Sequence, residues 1–393
     1  MDFSGLRVYF AANGIGLGHV SRDIPIAKKI EAIGGKVRFS TFLEGVVYLK
    51  KRGFTVRSAP PLTMINDETG KINLRLSGIK QGVTSPLTFM RQVKFEIREM
   101  KKFNPDIVLA DSRLSSIYAA KILDIPIVSI LNQFSPIIPR EEDNSLFRVA
   151  DASIMTLLGS MWAWSDLILI PDFPEPYTIS LDTLRIPHAY NKKVKYIGPI
   201  IEYKSDECEP QEKIREYYNV FGDSKLIFAS ISGPIGERNP LMKLLEPIFK
   251  TFSADITVIM SMGTPSGGSK LSHSGSLIKT PWLLDRFSTL NACDAVVNRG
   301  GHETIMQNIC YEKPSLIIPV PNHPEQYGNA KRAKYLGIAE MTQQTEVTKE
   351  TCLEILQELL SQPSYRLKLK QMKTHSDQLN SIDECLRAVE AVI

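Results

Sequence analysis

Asn13-Gly-Ile-Gly-Leu-Gly-His19 sets an imidazole directly behind a glycine-rich turn. Glycines let backbone come close to a ligand, and a helix opening there offers its positive end to negative charge. At the first turn of such a helix, His19 can take a proton from an incoming hydroxyl near neutral pH. The plainer reading is a histidine packed at a helix start. Asp111 ends the run Pro105-Asp-Ile-Val-Leu-Ala-Asp. If that run is a strand beside the first, its carboxylate orients His19 and stabilises the protonated ring. Otherwise it caps the helix beginning near Ser115. The turn also invites a dinucleotide reading, G-x-G-x-x-G. Gly18 comes one place early for that, His19 stands where the third glycine belongs, and Phe39-Ser-Thr-Phe replaces the acid expected ~20 residues on. The nicotinamide reading is set aside on those grounds.

A second cluster, Asp294-Ala-Val-Val-Asn-Arg-Gly-Gly-His-Glu-Thr-Ile-Met-Gln307, runs from a strand into Arg299-Gly300-Gly301 and opens a helix at His302, Glu303 and Thr304. Paired glycines and unpaired helix N–H groups suit a diphosphate. Arg299 or His302 can add charge, Thr304 a hydroxyl, and Gln307, one turn on, can reach a ribose. The loop Pro319 to Ala330 offers Glu325, Gln326 and Asn329, whose donors and acceptors suit sugar hydroxyls. The loop Ser230 to Gly236 can touch phosphate from the other side, and Trp282 can lie against a base. Each loop alone is an ordinary turn; all of them at strand ends in one domain argue for a site.

Strand-like and helix-like runs must position these groups. In the first half, strands read at Leu6–Ala12, 35–42, Phe54–Ser58, Pro105–Asp111 and Ile125–Leu131, with helices at Ile24–Ile33, Gly45–Arg52 and Ser115–Leu123. The alternation restarts at Leu226–Ser232. It continues with helix Pro240–Phe252, strand Ile256–Met262, a Gly/Ser-rich loop 264–276, strand Asp294–Asn298, helix Thr304–Ile309, strand Ser315–Val320 and a helical tail from Thr348. Strands alternating with helices imply parallel sheets covered on both faces. The expectation is α/β, two doubly wound Rossmann-like domains. The first spans 1–202, a polar linker 203–222, and the second 223–365, with a C-terminal helix in 366–393 that packs back on the first domain.

The bulk numbers agree with that size and narrow the class. A chain of 393 residues exceeds what one core usually reaches. A net charge of +4 is too small to suggest a nucleic-acid binder. Five cysteines (208, 293, 310, 352, 385) without a C-x-x-C pair argue against a zinc site or a disulfide framework and fit a reducing cytoplasm. The early acid and short apolar run of the N-terminus do not read as a signal peptide.

Gly18-His19 after the first strand, Arg299-Gly-Gly…Thr304…Gln307 and Glu325-Gln-x-x-Asn329 together resemble GT-B glycosyltransferases, including the bacterial MurG group and the UDP-glycosyltransferases of plants and animals. Gly16-Leu-Gly18-His-Val-Ser-Arg22 resembles a related group common in archaea, G-x-G-H-x-x-R. The resemblance implies a UDP-sugar donor held mostly by the C-terminal domain, with no metal: Asp-x-Asp is absent. It implies that Gly16 and Gly18 line the donor side, Ser232 and Gly233 flank the phosphates, backbone near Leu283 reads the uracil, and Glu325 with Gln326 holds the sugar. Transfer would invert the anomeric centre in one displacement, with His19 as base and Asp111 its partner. Two positions depart from the family: Gln307 stands where a ribose-binding Glu is usual, and Leu131-Asn132-Gln133 lacks the bacterial glutamate.

Residues Ile79 to Lys102 mix Leu87, Phe89, Met90, Val93 and Phe95 with Arg91, Lys94, Arg98, Lys101 and Lys102. They fit either a helix packed on the sheet with a solvated basic side or a face resting on an anionic membrane, with Trp162 and Trp164 as anchors. On the second reading the protein is cytoplasmic and peripheral to the membrane, and its acceptor is lipid-linked. The competing functions are a sugar-nucleotide 2-epimerase on the same fold and a non-catalytic nucleotide-sugar-binding partner.

Overall fold

The computed structural model of the chain describes residues 3–62, 67–71, 86–135 and 158–393. They form two compact units, one of residues 3–62, 86–135, 158–202 and 379–393, the other of 67–71 and 203–378.

The first unit is built on strands β1 (Arg7–Ala12), β2 (Lys36–Thr41), β3 (Val56–Ser58), β4 (Ile107–Asp111), β5 (Ile127–Ile130), β6 (Leu167–Ile170) and β7 (Val194–Tyr196). They lie in the order β3-β2-β1-β4-β5-β6-β7, every neighbour parallel. β1 and β4 are apolar on both faces, as a strand covered on both sides requires. Tyr9, Ala11, Val108 and Ala110 join one core with Met100 of α3 (Pro86–Phe103) and Ile117 of α4 (Leu114–Ile122). Helix α1 (Gly18–Ala32) begins six residues before the expected Ile24. Its first turns bury Ser21, Arg22 and Asp23 beside Val20, and this run of buried polar residues hides the hydrophobic periodicity until Ile24.

The second unit repeats the plan with β8 (Lys225–Ser230), β9 (Ile256–Ser261), β10 (Ser272–Ser274), β11 (Leu277–Thr280), β12 (Ala295–Asn298), β13 (Ser315–Ile317) and β14 (Ala339–Met341). The order is β10-β11-β9-β8-β12-β13-β14, parallel except for the edge strand β10. Helices α5 (Ile235–Lys250), α6 (Arg286–Ala292), α7 (His302–Cys310), α8 (Pro324–Tyr335), α9 (Lys349–Ser361) and α10 (Pro363–Gln378) accompany it. Ile227, Val258, Val297 and Leu316 make its centre with Leu356 and Leu359 of α9.

Three expectations are corrected here. The Gly/Ser-rich stretch 264–276 holds the short polar strand β10, whose Ser-His-Ser sequence carries no strand signal. The segment holding Glu325, Gln326 and Asn329 is not a loop but the start of α8. Pro324 sits in its first turn, where a missing N–H costs nothing, and His323 caps it. Residues 203–222 include a helix, Gln211–Tyr217, which the second unit holds through Arg215, 3.0 Å from Asp294 and 3.2 Å from the Ala292 carbonyl.

The tail divides after Gln378: α10 stays with the second unit, while α11 (Ser381–Val392) packs against α1 in the first. Its Cys385, Leu386 and Val389 are buried, and the Ser381 hydroxyl donates to the Pro199 carbonyl at 2.8 Å. Residues 67–71 belong to the second unit. Asp67 Oδ1 accepts from Thr69 N and Lys71 N, and the Thr69 carbonyl accepts from Gln344 Nε2 at 3.0 Å. Among the described residues no helix is long and apolar enough to cross a membrane.

Strand order reverses between β1 and β4 in one sheet and between β8 and β12 in the other. In open α/β sheets, ligands bind beyond the carboxyl ends of strands at such points.

Candidate active site

The reversal in the first unit carries His19 and Asp111. β1 and β4 pair with Ala12 opposite Asp111, and Asn13 N donates to the Asp111 carbonyl at 3.0 Å. The turn between β1 and α1 passes so close to β2 that a Cβ on Gly14 would lie 2.4 Å from the Phe42 carbonyl oxygen. Asn13 Oδ1 accepts from Ile15 N, Gly16 has φ 75°, and Gly18 opens α1. His19 Nδ1 then lies 2.7 Å from Asp111 Oδ1, with 21% of its side chain exposed. The Asp111 carboxylate, at the shorter distance, favours a proton on Nδ1 and a lone pair on Nε2, while the Arg22 Nη2 also lies 3.0 Å from Nδ1. The other role considered for Asp111 does not arise: the cap of α4 is Arg113, without a side-chain bond.

Arg22 completes the group. Three residues after His19, it lies on the same side of α1. Its Nε donates to Asp111 Oδ2 at 2.5 Å, Nη2 donates to Oδ1, and Nη1 donates to Asn132 Oδ1 at 3.2 Å. Arg22, Asp111 and Asn132 are buried. Burial pushes the Asp111 carboxyl up, but the Arg22 guanidinium and then His19 outweigh it and hold it well below the usual carboxylate range. Asp111 is thus a fixed anion already matched by one cation. What it adds to His19 is chiefly orientation and tautomer.

A second buried ion pair braces the strand ends. Arg113 Nη2 donates to Glu96 Oε1 at 2.6 Å, and its Nη1 donates to the Ala12 and Ser40 carbonyls at 3.2 Å each. Glu96 also accepts from Tyr9 and Ser40, both at 2.7 Å. Burial, reinforced by the Glu96 charge, pushes the Tyr9 phenol well above its ordinary value. Sequence reading missed this network, because Glu96 sits among the cations of α3 and looks like one more surface charge.

At the reversal in the second unit, β12 ends in Asn298-Arg299-Gly300-Gly301. Gly300 has φ 78°, and a Cβ there would lie 3.0 Å from both the Gln326 carbonyl oxygen and Ile317 Cγ2. Asn298 Oδ1 accepts from Gly300 N at 2.7 Å, and Asn329 Nδ2 donates to the Gly300 carbonyl at 3.1 Å. A Cβ on Gly301 would meet the exposed Ser232 at 3.8 Å from Oγ, so the loops after β8 and β12 stand side by side. Gly233, next in that loop, has φ 111°. His302 and Thr304 are buried in the first turn of α7.

Several residues expected to touch a ligand are engaged in holding the loops. Arg299 is buried. Its Nη1 donates to Gln344 Oε1 at 2.7 Å and its Nη2 to the Glu237 carbonyl at 3.1 Å, while burial pulls its guanidinium down to about 10. It ties the turn together instead of presenting charge. Gln326 Oε1 accepts from Val320 N at 2.8 Å, and Asn329 holds Gly300; neighbouring Glu325 remains half-exposed. Trp282 is half-buried, its backbone N–H donating to the Gly268 carbonyl at 3.2 Å, and the next residue, Leu283, is buried. Gln307 is buried between Arg286, whose Nη2 donates to its Oε1 at 2.6 Å, and Glu303, whose Oε1 accepts from its Nε2 at 2.9 Å.

Known proteins share these halves. Residues 6–176 match the Glycosyl transferase family 1 model and residues 272–385 the Glycosyltransferase family 28 C-terminal domain. A Methanosarcina mazei protein named as an uncharacterized glycosyltransferase is 26% identical over 377 residues, 95% of each chain. The Bacillus cereus enzyme named UDP-N-acetylglucosamine--N-acetylmuramyl-(pentapeptide) pyrophosphoryl-undecaprenol N-acetylglucosamine transferase 1 is 22% identical over 411 residues, 98% of each. The solved Acinetobacter baumannii MurG has the same fold, with a TM-score of 0.59 at 15% identity, covering 98% of this chain and 99% of its own. Both halves thus match glycosyltransferase families, relatives named as glycosyltransferases align along nearly their whole length, and the two doubly wound sheets are those of the GT-B fold.

Proposed function

We propose that the protein transfers a sugar from a UDP-sugar to an acceptor hydroxyl or phosphate with inversion, and that His19 is the base. The observation that carries this is the 2.7 Å contact between His19 Nδ1 and the buried carboxylate of Asp111, which Arg22 holds in its charged form well below the usual range. With Nδ1 engaged by Asp111 and Arg22, Nε2 is the ring nitrogen that takes the proton in this reading. The acceptor O–H gives its proton to Nε2 as its oxygen bonds to the anomeric carbon; the bond to the β-phosphate oxygen breaks and UDP leaves with the electron pair. Asp111 keeps the ring in the right tautomer throughout. The second unit supplies the donor groups: Ser232, Gly233, Gly301 and the opening N–H groups of α7 for the diphosphate, Trp282 and Leu283 for the base, and Glu325 for the sugar. No metal enters this scheme.

A lipid-linked acceptor at a membrane surface is the reading we favour. On α3, Glu96 is buried against Arg113 and Glu99 is paired with Arg57, Arg98 and Lys102, while Arg91, Lys94 and Lys101 are exposed alongside Leu87, 72% exposed, and Met90. A basic face with protruding apolar side chains suits an anionic membrane surface. The expected part of this run before Pro86 lies outside the described residues. Trp162 does not serve as an anchor, being buried in the core, whereas Trp164 is partly exposed against Tyr118.

Incubation with several UDP-sugars, with and without a membrane extract, tests the function. Acceptor-dependent UDP release supports transfer. Isomerised donor without acceptor would make the protein an epimerase, and binding without turnover a partner subunit.

A further inference from the structure

Arg113, two residues beyond Asp111, caps α4 and is buried. Ser112 between them has φ 50°, a left-handed turn that ends β4 and sends the chain into α4. The guanidinium of Arg113 holds the turn before His19 by two routes. In the first, Nη1 donates to the carbonyl of Ala12, the last residue of β1, at 3.2 Å. Asn13 follows, its N–H bound to the Asp111 carbonyl at 3.0 Å. In the second, Arg113 Cζ lies over the Phe42 ring, 5.1 Å from its centre. Phe42 is the residue on which Gly14 rests: a Cβ at position 14 would come 2.6 Å from Phe42 Cδ2. The guanidinium is itself fixed by Glu96 at 2.6 Å, and Glu96 by Tyr9 and Ser40. Both routes end on the backbone that carries the imidazole.

We infer that Arg113 is a positioning residue for the proposed base: by fastening Ala12 and Phe42 it seats the turn 13–18 and so sets the approach of His19 to Asp111. The inference rests on the reading of His19 as base. It asks for a planar fork, since one group must reach Glu96, the Ala12 and Ser40 carbonyls and a ring face together. An ammonium keeps the charge opposite Glu96 but is a point charge without a face to stack, so it cannot make all of these contacts. Misplacing a reacting group by about 1 Å costs about 10²-fold in rate. The groups proposed to hold the donor lie in the second unit and keep their places.

The test uses two variants of the full chain: Arg113→Lys, and Arg113→Met combined with Glu96→Gln, which leaves no buried charge without a partner. UDP release should show kcat lower by about tenfold in the first and about 10²-fold in the second, with the KM for the UDP-sugar unchanged. Lysine thus restores part of what methionine loses. A readout that needs no turnover is the low-field proton NMR resonance of the hydrogen bond between His19 Nδ1 and Asp111, identified by its absence in His19→Ala. It should shift or broaden in Arg113→Lys. An unchanged resonance, or full kcat in the combined variant, overturns the inference. So does a rise in KM with kcat unchanged. Should the combined variant fail to fold, Arg113→Lys carries the test alone. Turnover retained in His19→Ala overturns the base reading instead, and the resonance still decides whether Arg113 seats the turn.

Discussion

Arg22 and His19 share the Asp111 carboxylate, and the consequences of removing each differ. His19→Ala removes the only proposed base. It should lower kcat by about 10²–10⁴-fold with the dissociation constant for donor unchanged, measured by UDP release and calorimetry; loss of donor affinity would mean the ring has another role. Arg22→Met acts on stability. The Asp111 carboxyl is held below its ordinary value, so the unfolded chain takes up its proton near pH ~4 while the folded chain does not. The stabilisation is whole above that pH and fades as pH falls toward the depressed folded value. Without Arg22 the folded value rises, and the acid-unfolding midpoint followed by circular dichroism should move to higher pH. His19, Asp111 and the glycine pair at 300–301 were legible because chemistry-bearing types stood at strand-to-helix turns. The inward roles of Arg299, Gln326 and Asn329 were not, since sequence does not tell which polar groups the backbone itself will consume.

Secondary elements set these groups with small margins. Ala at Gly300 would force a side chain into left-handed backbone against the Gln326 carbonyl, at a cost of about 1 kcal/mol or more, and should weaken UDP binding. Thermal melting and calorimetry would report the two effects separately. Glu96→Leu would leave Arg113 charged and buried beneath β1 and β2. Breaking such a pair costs about 3–5 kcal/mol, readable as a lower urea midpoint. The same helix presents its cations outward. Sedimentation with phosphatidylglycerol vesicles, but not phosphatidylcholine, should capture the protein, and Leu87→Glu with Arg91→Glu should abolish this. The central strands were readable as short apolar runs bounded by turns. The early start of α1 and the whole of α8 were not, because buried polar residues and a first-turn proline hide the helical period.

Across the whole chain, the first unit is closed by α11, encoded 179 residues after Glu202 (381 − 202). Truncation after Gln378 should destabilise that unit by the loss of Leu386 and Val389, each worth about 1.5–3 kcal/mol. Hydrogen exchange should show α1 losing protection while β8 and β12 keep theirs.

The ribosome meets this arrangement in order. Residues 203–378 lie together along the chain and can pack as they emerge, whereas α1, made far earlier, keeps the flank that α11 covers open until residues 381–392 are synthesised. The proposed base at His19 therefore sits on a helix whose packing is completed after that of residues 203–378, so a translation product interrupted before Ser381 would carry a finished donor half and an unfinished base.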